Sequence, residues 1–220
     1  PGRINDHLKK TKFKLNPRIN ENPYLDNQLK QLEMQFNATK QRLGNKFGTK
    51  KFIVYFQSFT NTYAPFSTLK ALYEKALSFE NVIGLSIGTR TDCVTDEILD
   101  YLLELSKEKE IWVEYGIQSF FDETLVNINR GDTVENMRYC IKRSKEKGLN
   151  VCGHLIYGLP NETQEMMLET LKQTIDLNVD SIKFHPLYVV KNTLLTNEFK
   201  KGRFTPISEH LYIDTVVKSI

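Results

Sequence analysis

The chain predicts an α/β fold of parallel strands arranged as part of a βα barrel, and three observations lead there. Five short apolar runs rich in Val, Ile and aromatic residues recur at intervals of about 30 to 40 residues, the length of one β-loop-α unit. Runs of that kind are strands buried on both faces, as parallel strands are. Helical periodicities fill the intervals. Two architectures accept such a series, an open doubly wound sheet or an arc of a barrel. The first predicts a glycine-rich phosphate turn after its first strand, and neither GxGxxG nor GxxxxGKS/T occurs. The stretch after the first run is "SFTNTYAP", polar and aromatic without glycine, which favours the barrel.

Each element has its own justification. Residues 1–24 are rich in Asn, Lys and Pro with no sustained period, an irregular arm. Leu25, Leu29, Leu32, Phe36 and Leu43 share one helical face, so residues 25–43 predict an amphipathic helix packed on the barrel. "KFIVYFQ" (51–57) is the first strand. Leu69, Leu72, Ala76 and Leu77 then follow helical spacing, and "NVIGLSIG" (81–88) is the second strand. Thr95 is a suitable N-cap for a helix carrying Ile98, Leu102 and Leu105. "IWVEYGIQ" (111–118) is the third strand. Asp132 with Glu135 forms a capping-box pattern for a helix over 133–147, which Gly148 ends. "VCGHLIYG" (151–158) is the fourth strand, and Asn161 with Gln164 caps a helix over 162–177 in the same way. "SIKFHPLYVV" (181–190) is the fifth strand. The domain division expected is an arm and helix over 1–50 and a barrel portion over 51–220.

Composition excludes several classes. With 40% hydrophobic and 26% charged residues the chain is of globular type. No stretch approaches the ~20 apolar residues of a membrane span, and no signal-peptide pattern opens the chain, so a cytoplasmic location without membrane contact is expected. Cys93, Cys140 and Cys152 are widely spaced with no CxxC, which supports neither a disulfide framework nor a metal knuckle. The net charge of +3 hides an asymmetry, because residues 1–50 hold 11 Lys and Arg against 4 Asp and Glu. A basic segment can steer phosphate-bearing partners or be a solvated surface. The opening "PGRINDHLKK" lacks an initiating Met, as though it began inside a longer product.

In a βα barrel the chemistry gathers at the carboxyl ends of the strands. Those ends carry Gln57, Ser58, Thr60 and Asn61; then Arg90 and Asp92; then Glu114, Gln118 and Arg130; then His154 and Gly158; then Lys183, His185 and Pro186. Each has a structural alternative: Gln, Ser and Asn cap backbone groups, Arg90 and Asp92 pair across a turn, Arg130 sits at a helix C-terminus, and the histidines are hydrogen-bonded core residues. Several polar groups at the same end of successive strands fit a polar small-molecule pocket better than independent accidents, because each buried alone costs desolvation. No HExxH, no GxSxG and no paired carboxylates of glycosidase type occur.

"YGIQSFFDETLVNINRGDT" followed by "HLIYGLPNET" resembles paired motifs of radical SAM enzymes in the coproporphyrinogen-oxidase-like and Elongator-catalytic-subunit-like groups. "VYFQSFTNTYAP" and "GLSIGTRTDC" narrow the resemblance to a bacterial group of radical SAM proteins related to those two. It covers residues 50–220 in register. It implies a partial (β/α)6 TIM-like barrel, of which this chain carries strands two to six and lacks the first strand and the cluster loop.

The resemblance also implies S-adenosylmethionine (SAM) and a [4Fe-4S] cluster as cofactors, with reductive cleavage of SAM to a 5′-deoxyadenosyl radical in an oxidoreductase or transferase. The substrate would be a small molecule or a tRNA, and the electron donor a flavodoxin or ferredoxin. A non-catalytic SAM- or nucleotide-binding barrel is the alternative. By the resemblance, Gln57 and Ser58 would face the methionine amino group, and Gln118 and Arg130 the ribose or carboxylate. Arg90 would lie where the third family strand nears the cofactor. His154 stands where the coproporphyrinogen-type enzymes have aspartate; Gly158, Pro186 and Leu187 would border the adenine. The family holds its cluster with three cysteines in one loop, CxxxCxxC or longer. That loop is missing here, so the cluster ligands are expected upstream and this chain alone is expected to be inactive.

Overall fold

The strand order follows the chain, β1-β2-β3-β4-β5, for strands Phe52–Phe56, Val82–Thr89, Glu110–Gln118, Asn150–Tyr157 and Ser181–Pro186. β1 pairs with β2 and β4 with β5, both in parallel. A doubly wound sheet reverses its order at a switch point, and an arc of a βα barrel does not. The observed order is therefore that of the barrel class. The structure, a computed structural model, describes residues 22–220; the expected arm before residue 22 lies outside them. Two compact units are present, one running to Glu114 together with Lys147–Asn150, the other Tyr115–Glu146 together with Val151–Ile220.

In the first unit, α1 (Leu25–Phe47) buries Leu32 and stacks Phe36 on Phe79 at 4.6 Å and edge-on to Phe52 at 5.9 Å. Gly48, in the left-handed conformation, closes it by donating to the Gly44 carbonyl. α2 (Phe66–Leu77) buries Leu69, Tyr73 and Ala76, and α3 (Asp96–Ser106) buries Ile98, Leu99 and Leu102. Thr95 caps α3 as its position predicts, accepting from the Ile98 N–H. Gly84 of β2 has no room for a side chain, since a Cβ would lie 2.0 Å from the Glu110 carbonyl oxygen. β1 departs from the expectation of burial on both faces. Ile53 and Tyr55 are 43% and 37% exposed, while Phe52 packs on Phe36 and Phe56 on Tyr73 and both are buried.

In the second unit the two faces of β4 and β5 differ in chemistry. The register pairs His154 with Lys183 and Tyr157 with Pro186. Gly153, Leu155, Tyr157 and Phe184 form the helix-covered face. A Cβ on Gly153 would meet Ile117 and Thr174, the last on α6 (Gln164–Ile175). Tyr157 packs on Phe184 at 5.2 Å and shares a hydrogen bond with Ser219, just past α8 (Glu209–Lys218). The alternate residues, Cys152, His154, Lys183 and His185, share the opposite face.

Two caps fall elsewhere than the sequence patterns predict. α5 (Val134–Glu146) is capped by Thr133, which accepts from the Asn136 N–H at 3.2 Å; Asp132 instead holds the Thr133 N–H and the Asn136 side chain. α6 is capped by Thr163, not Asn161. Asn161 has φ +67° and follows Pro160, with the Glu162 N–H bonded to the Leu159 carbonyl at 3.1 Å. Pro at the second position and a left-handed Asn at the third make this a type II turn. The fifth strand stops at Pro186 rather than 190, because β4 ends at Tyr157 and leaves no ladder beyond it. Three short helices gave no clear periodicity: α4 (Asp122–Asn127), α7 (Leu194–Lys200) and α8. No helix among the described residues is long and apolar enough to cross a membrane.

Candidate functional site

The ends of β1 and β2 are bound into one rigid corner. The Asn61 side-chain amide donates to the carbonyls of Phe56 and Gly88 at 2.9 and 2.8 Å, and its own N–H also reaches Gly88. Thr62 hydrogen-bonds Thr89 at 2.6 Å and the Cys93 carbonyl at 2.7 Å, and the Tyr73 hydroxyl donates to the Asn61 carbonyl. Gly88 permits this approach, since a Cβ there would sit 3.1 Å from the Phe56 oxygen. Gln57 is exposed and Ser58 half-buried on this corner, followed by Phe59 at φ +65°.

Arg90 takes the turn pairing that its spacing allows. Its Nε and Nη2 bond both oxygens of Asp92 at 2.7 and 2.6 Å. Partial burial pushes the Asp92 carboxyl up, but the guanidinium outweighs it and holds the acid below its usual range. Deeper in the same unit, Ser86 donates a hydrogen bond to the buried Glu114 carboxylate.

In the second unit Gln118 and Arg130, 12 residues apart, meet over one glycine. A Cβ on Gly116 would lie 2.7 Å from Gln118 Nε2 and 3.1 Å from Arg130 Nη2. Arg130 Nη2 donates to the Gly116 carbonyl at 2.6 Å. The absence of a side chain at 116 therefore makes the space in which amide and guanidinium lie together. Gln118 has φ +71°, and the Ser119 N–H bonds the Ile117 carbonyl at 2.9 Å. Positive φ with this two-residue hydrogen bond is the rarer, strained form of γ-turn.

His154 stacks obliquely against His185, rings 5.2 Å apart at 30°. The Leu187 N–H bonds the Tyr157 carbonyl, which sets Pro186 and Leu187 beside Gly158 in the chain crossing. Gly158 has φ +87°, and Ile207 fills the space above it, 2.6 Å from where a Cβ would project. A cavity of about 290 Å³ beside it is lined by Gly158, Asn161, Glu162, Arg203 and Ile207, among others. The Gly-Leu-Pro corner is thus a left-handed glycine followed by a type II turn.

The predicted residues accordingly fall into local groups: Gln57 with Ser58, Arg90 with Asp92, Gln118 with Arg130, His154 with His185, and Gly158 near Pro186 and Leu187. Gly116, Ser119 and Glu162 carry no sequence signal beyond their place within the quoted motifs.

The sequential order of parallel strands, each followed by helix, defines an α/β protein of the barrel class. The chain belongs to the radical SAM superfamily: that family's model matches residues 24–174, and the radical SAM C-terminal domain model matches residues 179–220. Protein YtqA of Bacillus subtilis (strain 168) is 37% identical over 193 residues, covering 88% of this chain and 60% of YtqA. The tRNA uridine(34) acetyltransferase of Methanocaldococcus infernus is 31% identical over 137 residues, 61% of this chain and 25% of that protein. Among solved structures, M. infernus Elp3 with an N-terminal deletion aligns with TM-score 0.71 at 24% identity, over 86% of this chain and 49% of that one. Coproporphyrinogen III oxidase (HemN) of Escherichia coli aligns with TM-score 0.59 at 19% identity, over 88% and 45%. Both bear out the fold. The chain spans 60% or less of the length of these proteins.

The family implies SAM and a [4Fe-4S] cluster, and the residues present fit these two unequally. A paired amide and guanidinium suit the carboxylate and hydroxyl groups of SAM. The cysteines do not suit the cluster. Cys140 and Cys152 are buried and Cys93 bonds Asp92, and burial pushes the Cys93 and Cys140 thiols up, away from the thiolate form that iron requires.

Proposed function

We propose that this chain is the SAM-binding barrel portion of a radical SAM enzyme. The observation that carries the reading is the junction of Gln118 and Arg130 over Gly116 at the end of β3. Arg130 supplies a permanent positive charge for the SAM carboxylate, and the Gln118 amide both donates and accepts toward hydroxyl groups. Gln57 and Ser58 are assigned to the methionine amino group, with Arg90, His154, Gly158, Pro186 and Leu187 as further cofactor contacts. Asp92 and Ile207 already engage Arg90 and Gly158 in this structure. With its cluster, whose ligands lie outside the described residues, bound SAM would supply a 5′-deoxyadenosyl radical for hydrogen abstraction. The chain's own part is to bind and orient SAM and to exclude water.

Equilibrium dialysis of radiolabelled SAM against the full-length protein tests this. Saturable binding that Arg130→Ala weakens at least tenfold supports it; binding unaffected by that change overturns it. Anaerobic assay with dithionite then asks for 5′-deoxyadenosine. A tRNA substrate, with a flavodoxin or ferredoxin as electron donor, is the second reading. The relative that is a tRNA uridine(34) acetyltransferase and the basic residues 1–50 favour it. Filter binding of tRNA should then weaken steeply with salt.

A further inference from the structure

The strained γ-turn at Gln118 needs something to hold it, and the second motif loop provides a clamp. The Ser119 hydroxyl, fully buried, donates to the Glu162 carboxylate and accepts the Phe121 N–H at 3.2 Å. The next amide, that of Phe120, donates to Thr170 on α6 at 3.2 Å. Glu162 is fixed at its own end: its N–H closes the type II turn on Leu159, and Thr124 adds a side-chain hydrogen bond to the carboxylate. A half-buried carboxylate therefore ties the segment after Gln118 to the turn after Gly158, 43 residues apart in sequence. Such a tie is not needed to cap α6, because Thr163 does that. It opposes relaxation of the γ-turn, whose unstrained alternatives would carry the Gln118 amide away from Arg130.

We propose that Glu162 is a positioning residue for cofactor binding: through Ser119 it holds the turn that keeps the Gln118 amide beside Arg130. The proposal rests on the SAM-binding reading above. Its physical content is preorganisation, in which an outer group fixes the geometry of one that touches the ligand.

The test uses the full-length protein with its cluster and four forms: wild type, Glu162→Gln, Glu162→Ala and Ser119→Ala. Gln at 162 keeps an oxygen that accepts from Ser119; Ala at either position removes the bridge. SAM affinity is measured by equilibrium dialysis, and amide hydrogen exchange is followed over residues 117–121. Glu162→Ala and Ser119→Ala should raise the SAM Kd roughly 10- to 100-fold, the usual range for losing an outer-shell partner. The backbone amide at position 119 should exchange faster in both. Glu162→Gln should restore affinity and protection. In steady state the KM for SAM should rise with kcat held, which a merely structural defect would not produce. Wild type that binds no SAM overturns the underlying reading. Wild type that binds SAM while Ser119→Ala binds it equally well overturns the positioning role alone, as does a Glu162→Gln form as defective as Glu162→Ala. Ser119→Ala removes one oxygen from the core, so it keeps the test decisive if Glu162→Ala fails to fold.

Discussion

Replacing Gly158 with alanine should destabilise the second unit through two separable causes. The first is conformational. At φ +87° an L-residue brings its Cβ against its own backbone, costing about 1–2 kcal/mol. The second is overlap. The new Cβ would lie 2.6 Å from both Cβ and Cγ2 of Ile207, atoms at the root of the side chain that cannot swing away. Forcing an extra carbon into such a space costs about 1–3 kcal/mol. Together the loss is about 2–5 kcal/mol, read by anaerobic urea unfolding of the full-length protein. Replacing Ile207 with Gly removes both overlapping atoms, Cβ and Cγ2, but not the backbone strain at residue 158. The double mutant Gly158→Ala/Ile207→Gly should therefore be more stable than the sum of the single losses by about 1–3 kcal/mol. Strict additivity, or a Gly158→Ala loss below about 1 kcal/mol, would refute the claim that glycine is required at this corner by conformation and close approach.

Other expectations follow from the same contacts. Gly116→Ala should leave stability within about 1 kcal/mol, because its Cβ meets only the flexible ends of Gln118 and Arg130. It should nevertheless weaken SAM binding, and unchanged affinity by dialysis would count against the junction. Asn61→Ala removes two hydrogen bonds to the Phe56 and Gly88 carbonyls and should cost about 1–3 kcal/mol in urea unfolding, with faster hydrogen exchange over 57–62. Two acids should show opposite pH behaviour. Burial pushes the Glu162 carboxyl up despite its Ser119 and Thr124 hydrogen bonds, so its folded form favours the proton. Its stabilisation is present below the ordinary value of 4.5 and is lost as pH rises through the raised folded pKa, so Glu162→Gln should gain on wild type over that window. Burial also pushes Asp180 up, but hydrogen bonds from Lys145 and the Val151 N–H outweigh it and hold it low. Its stabilisation is present above 3.8 and lost as pH falls through the lowered folded pKa, so the gap between wild type and Asp180→Asn should close in acid.

Local patterns carried most of the architecture. The apolar runs located all five strands to within a few residues, because β-branched and aromatic residues favour a strand even where, as in β1, one face stays exposed. Thr95 was legible as a cap because its side chain answers an N–H three residues on. Asn161 shows the converse: it carries a cap pattern but does not cap α6. The pattern of an Asx residue followed by Gln suits a cap and a turn equally, and Pro160 with the left-handed φ decided for the turn.

The amino-acid order by itself determined the βα periodicity, the absence of a phosphate loop and the motifs that mark Gln118, Arg130 and Gly158. Only tertiary structure decided what those residues touch: that Gly116 makes room for an amide beside a guanidinium, that Asp92 engages Arg90, that Ile207 covers Gly158, and that Glu162 reaches Ser119. The reason is physical. Secondary structure answers to neighbours within about one turn or one pleat, which a linear pattern records. A side-chain contact across 43 residues depends on where two turns are carried by the strands beneath them, and no local periodicity encodes that.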